Sequence, residues 1–153
     1  MDELSLKATL VAMTEHESRL RALLEQHEPA ALTARPSNGD WSAIENVRHA
    51  FYAEQHHIGR YVPGGLGLSP MGLPQGHTAP RAFAKVTPDL AAIFEAWERV
   101  HAEACARLDL SQPGLELQLP RLFRHQQAHA RLAIRALSEA TGLAIRMAQV
   151  RKG

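Results

Sequence analysis

Apolar residues recur at three- and four-residue steps through most of the chain, and no stretch alternates convincingly, so the pattern is that of amphipathic helices. Leu6, Leu10, Met13, Leu20 and Leu24 make one such stripe within residues 4–27, with Lys7, Glu15, Arg19 and Glu25 outside it. Pro29 and the segment ARPSNGD then break the helix. A second helix is expected from Ala43 to Arg60: Ser42 and Glu45 form a capping box, Trp41 is the apolar residue just ahead of it, and Ile44, Val47, Phe51 and Ile58 face inward. A third runs from Thr87, the N-cap, with Pro88 in the first helical position, to Leu108, and buries Leu90, Phe94, Trp97, His101 and Leu108. The fourth spans Pro120–Ala140, turns Leu122, Leu132, Ala133, Ala136 and Leu137 inward, and ends at Gly142. Four long helices without strands predict an all-α four-helix bundle, antiparallel or mixed, as one domain over residues 1–153.

Between the second and third helices, PGGLGLSPMGLPQGHTAP (residues 63–80) holds more Gly and Pro than a helix or strand tolerates. It keeps Leu66, Leu68, Met71 and Leu73, which a purely solvated linker has no need of, so a lid or pocket wall is expected. The tail LAIRMAQVRKG fits either a short strand or an extension.

Composition narrows the function classes. The 17 basic and 16 acidic residues are scattered, with few aromatics for stacking, which argues against nucleic acid as a partner. No apolar run approaches the roughly 18–20 residues of a membrane span. The start MDELSLKATL lacks the basic and apolar regions of a signal peptide, and the one cysteine, Cys105, agrees with a reducing cytoplasm. Nine histidines in 153 residues is the unusual count.

His125 and His129, in RHQQAHARL, stand one turn apart on one helical face, with Cβ atoms about 5–6 Å apart, a spacing that lets two imidazoles converge on one cation. A third histidine from another helix would complete a three-nitrogen metal site. His49, at the edge of the second helix's apolar stripe, is placed to do so, and His56 two turns later can replace it; His57 reads as surface-facing. The ordinary alternative is that each imidazole bonds a backbone carbonyl or an acid. Glu45, one turn before His49, is a candidate partner or general base, although the capping box already employs it. His101 and Cys105, also one turn apart, suggest a histidine-activated thiol, against the plainer reading of a small packed cysteine. Arg124, Arg131 and Arg135 form a stripe that either binds carboxylates or is a solvated face. His16, His27 and His77 have no assigned role.

The segment DWSAIENVRHAF, joined to a final helix with H-x-x-x-H, resembles the DinB/YfiT-like superfamily of small four-helix-bundle metalloproteins. The resemblance implies that His49, His125 and His129 bind a divalent metal (nickel, zinc or iron), with further positions open to water. It also implies a possible low-molecular-weight thiol as cosubstrate, since some relatives are thiol-dependent S-transferases or a mycothiol-dependent isomerase. Here Ala130 and Arg131 follow the last histidine where a common family form has Arg and Gly, which weakens any transfer of substrate contacts. The functional expectation is a cytoplasmic metal-binding protein, a thiol-dependent transferase or metal-assisted hydrolase acting on a small molecule, as a homodimer. Its alternative is a non-catalytic stress-response or interaction protein whose metal, if any, is structural.

Overall fold

Side-chain caps mark where the helices start. Asp2 Oδ1 accepts the Ser5 N–H at 2.8 Å and opens α1 (Glu3–Leu24), while Pro29 opens a short α2 (Pro29–Thr33). The capping box forms at α3 (Ala43–Ile58): Glu45 N donates to Ser42 Oγ at 3.2 Å and Ser42 N to Glu45 Oε1 at 3.1 Å. A 3-10 turn, Gly59–Tyr61, follows. The computed structural model describes residues 2–75 and 86–147, and within them the fold is all-helical, completed by α4 (Leu90–Arg107) and α5 (Leu115–Thr141). No described helix is long and apolar enough to cross a membrane.

Two helix starts differ from the sequence expectation. Asp89, not Thr87, caps α4, its Oδ1 accepting Ala92 N at 2.8 Å, so Pro88 lies ahead of the cap. The last helix begins at Leu115, after Gly114 at φ 93°, and carries Pro120 inside it. An internal proline costs about 3 kcal/mol. Leu115 and Leu119 are both fully buried, and at about 1.5–3 kcal/mol each that burial offsets the loss. Gly142, at φ 72°, ends the helix in the left-handed conformation that its lack of Cβ permits. Leu132, expected inside, is 40% exposed. Residues 143–146 have no regular structure, Ile145 packs on the core, and the rest of the tail from 148 lies outside the described residues.

Helix α3 packs against α5 most extensively, and also against α4 and α2, while α1 meets α4 and α5. The core divides in two. One cluster centres on Phe51, Phe94 and Trp97 with Leu20, Leu24, Ala133 and Leu137; the other gathers Leu6, Leu10, Met13, Ile58, Ala104, Leu115, Leu119 and Leu122. Each of the four long helices therefore feeds both clusters, and at the boundary they bury the polar residues Glu17, Glu54, His101 and Gln126. Helices α1 and α5 run from the second cluster to the first, whereas α3 and α4 run the other way. Helices α3 and α4 thus point in the same direction, which requires a long connection between them.

The first part of that connection lies on α3. Arg48 Nε donates to Met71 O at 3.0 Å and its Nη2 to Pro70 O at 3.2 Å, and Leu73 N donates to Arg48 O at 3.0 Å. Leu66 and Met71 pack on the two core clusters. This stretch is a wall held against the helix that carries His49.

Candidate metal centre

His49 projects from α3, and His125 and His129 from successive turns of α5, the two most closely packed helices. The three rings meet: centroids lie 5.4 Å apart for His49–His125, 4.7 Å for His49–His129 and 4.5 Å for His125–His129. One ligand atom from each falls within 4.8 Å of the others, so the three can hold a metal ion. His49 is buried and the other two are half-buried. Trp41 flanks them, 5.1 Å from His49 and 6.3 Å from His129 between centroids.

Hydrogen bonds set which nitrogens are free. His49 Nδ1–H donates to Leu73 O at 2.9 Å, and His129 Nδ1–H donates to Asn46 Oδ1 at 2.9 Å. Asn46 is itself oriented by its Nδ2, which donates to Ser42 O at 3.1 Å and Trp41 O at 3.3 Å. Both histidines thereby keep an Nε2 lone pair for a ligand, the arrangement in which an outer acceptor fixes the ring of a metal-binding imidazole. His125 Nδ1 is buried with no hydrogen-bond partner among the described residues.

Electrostatics agree with a donor set. Burial pushes the His49 pKa down, against the Leu73 carbonyl; burial and then His49 lower that of His125. Burial, followed by the two neighbouring imidazoles, brings His129 down to about 4. All three are neutral near pH 7, as ligation requires. Three imidazoles with no carboxylate or thiolate suit borderline first-row cations such as zinc, nickel and iron.

Other expectations sort differently. Glu45 does not serve the histidines: its carboxylate accepts Arg35 Nε at 2.9 Å and Nη2 at 2.6 Å besides closing the cap. Burial would raise its pKa, but Arg35 and Ser42 outweigh that and lower it, which makes it a weak base. The histidines' partners are instead Asn46 and a loop carbonyl. His56 is exposed and stacks on Tyr52 with 5.8 Å between centroids, outside the triad. His57, read from sequence as surface-facing, is half-buried, and lines with His49, Tyr52, His56, Gln75 and His125 a cavity of about 310 Å³. Burial, then His56 and Arg60, lower its pKa and keep it neutral. A second cavity, about 460 Å³, opens beside His129 and is lined by Trp41, Asn46, Gln75, Leu132 and Arg135 among others. Arg124, Arg131 and Arg135 are all exposed, and only Arg135 reaches this cavity. His16 packs edge-on against Phe123 at 5.7 Å, and His77 lies outside the described residues.

The sequence matches the DinB superfamily over residues 12–151, a span that includes all three histidines and most of every helix. The chain belongs to the DinB superfamily. No curated protein and no solved structure gives a significant match to it. As a DinB-superfamily member it carries its histidine cluster where α3 and α5 pack, with cavities on two sides of the cluster.

Proposed function

We propose that this DinB-superfamily protein is a four-helix bundle that binds one divalent cation, nickel, zinc or iron, through His49, His125 and His129, and uses it on a small-molecule substrate as a thiol-dependent transferase or hydrolase. The observation that carries the reading is the convergence of three neutral imidazoles, two with Nδ1 committed to outer acceptors. When bound, such a cation supplies Lewis acidity to a small ligand. The protein's own groups do the rest. Asn46 and Leu73 O hold two rings in place, Trp41 covers one side, and Asp40 and Arg135 set charges of opposite sign at the cavity beside His129, where they can orient a polar substrate. His57 offers a neutral imidazole at the other cavity to take a proton from an entering thiol or water.

Elemental analysis of untagged protein tests the site. Near-stoichiometric metal in the wild type that is lost in His125→Ala/His129→Ala supports it; a wild type that neither carries nor takes up a divalent cation sinks it. Chelation then separates chemistry from scaffolding. An open, reactive site predicts a small change in melting temperature and turnover of electrophiles with a low-molecular-weight thiol only in the loaded protein. A sharp fall in melting temperature without turnover would assign the metal a structural role.

A further inference from the structure

The buried polar layer ends at a cavity of about 730 Å³ between α1 and α4, lined by Thr14, Glu17, Ser18, Glu98, His101 and Cys105 among others. None of these residues takes part in the histidine cluster on α3 and α5.

The protonation state of His101 follows from its partners. Its Nδ1 lies 2.8 Å from Glu54 Oε2, and Glu54 Oε1 accepts Gln126 Nε2 at 2.9 Å. Its Nε2 lies 2.8 Å from Thr14 Oγ1, whose single proton is donated to Leu10 O at 3.0 Å. With that proton on Leu10 O, both ring nitrogens donate and His101 is an imidazolium. Burial alone would lower its pKa; the bonds to Cys105 and Glu54 outweigh burial and raise it well above the usual histidine value. Cys105 Sγ lies 3.5 Å from the same Nε2, and the cysteine is exposed. A cationic imidazole against sulfur, itself oriented by a carboxylate, is the arrangement in which cysteine serves as a nucleophile.

A second observation points to a ligand in the same cavity. Glu17 is 4% exposed, and its buried Oε1 has no hydrogen-bond partner among the described residues. Burial, then the Glu54 carboxylate, raise its pKa to about 8, so near pH 7 it carries a proton to donate. The remaining acid, Glu98, is paired with Arg21 at 2.8 Å.

We propose that Cys105 is a nucleophilic thiol that captures a small, uncharged α,β-unsaturated carbonyl compound in this cavity, with His101 holding the thiol proton and the Glu17 carboxyl donating a hydrogen bond to the carbonyl oxygen. The sulfur lone pair forms the new S–C bond at the β-carbon, and the C=C π pair shifts toward the carbonyl oxygen facing Glu17. The proton held by His101 ends on the α-carbon, so the thiol adds across the double bond. No group leaves, and nothing is oxidised or reduced. A nucleophile and an acid in one pocket match the two ends of a conjugated carbonyl.

Cys105 is the single cysteine of the chain, so the adduct that intact-protein mass spectrometry finds in the wild type and not in Cys105→Ser reports one thiol. Methyl vinyl ketone is expected to modify the protein at least about tenfold faster than it modifies N-acetylcysteine at the same pH, with no adduct in Cys105→Ser. Glu17→Met should slow the ketone about tenfold while leaving the rate with methyl methanethiosulfonate, which has no carbonyl, unchanged; His101→Gln should slow both. If His101→Gln does not fold, the wild-type rate and Glu17→Met decide. A wild-type rate no faster than N-acetylcysteine, or a Glu17→Met rate with the ketone equal to the wild type's, overturns the proposal.

Discussion

Asn46 occupies a position that side-chain chemistry alone does not single out. It stands three residues before His49, on the same face of α3, and its amide oxygen takes the Nδ1 proton of His129 from the facing helix. Asn46→Ala removes that acceptor while leaving all three imidazoles in place. Cation affinity is expected to fall about ten- to a hundredfold, measured by competition with a chromophoric chelator; unchanged affinity would show that Asn46 does not orient the ring. The three histidines were readable from the sequence because the one-turn spacing of His125 and His129 is a one-dimensional signal, and the family resemblance supplied His49. Their partners were not. An asparagine near a helix start reads as part of the cap, and Leu73 contributes only a backbone carbonyl, which no side-chain pattern records. Glu45 keeps the capping-box role that its spacing from Ser42 indicates, and what the sequence did not record is Arg35, ten residues upstream, which claims its carboxylate.

At the scale of elements, the connection after α3 acts on the histidines through its backbone. Gly72 lies where a Cβ would stand 2.8 Å from Gln55 Nε2, 3.1 Å from Tyr52 Cβ and 3.2 Å from Tyr52 Cα. The side-chain amide can move aside, but the helix backbone cannot. Gly72→Ala is therefore expected to lift the strand of loop that presents Leu73 O to His49, lowering stability by about 1–3 kcal/mol and cation affinity about tenfold. Thermal melting and chelator competition check the two effects, and a variant indistinguishable from the wild type in both would show that the loop is not seated as described. Helix identities and inner stripes were legible from period and caps, as Leu6, Leu10, Met13, Leu20 and Leu24 illustrate. Helix starts were less so. Pro120 carries a strong local preference for a first turn, and that preference yields to the burial of Leu115 and Leu119 against residues distant in sequence. Leu132 marks the opposite limit: it continues the apolar period but faces the cavity beside His129 instead of the core.

Across the whole molecule, the layer of Glu17, Glu54, His101 and Gln126 ties stability to pH. Glu17 and His101 both have folded-state pKa values above those of the unfolded chain, so each stabilises fully below its unfolded value and loses that contribution as pH rises through the folded one. For Glu17 the loss runs from about 4.5 to about 8, and for His101 it begins above 6.5. The melting temperature is expected to drop several degrees between about pH 6 and pH 9, given roughly 2–4 °C per kcal/mol at this size. Calorimetry of Glu17→Gln should show a shallower decline over that range, whereas a wild-type melting temperature that stays level from pH 6 to pH 9 would contradict the assignment. The sequence placed His101 on an inner stripe but did not reveal the layer, because its members belong to four different helices and no pattern along the chain joins them. Its geometry has one more consequence, for how the helices find each other during assembly. Leucine against leucine tolerates a slip of one turn at little cost, but here any such slip would set Glu54 among leucines and strand His101 without its carboxylate. The layer works as a key cut across four bars, which close only when all four notches align.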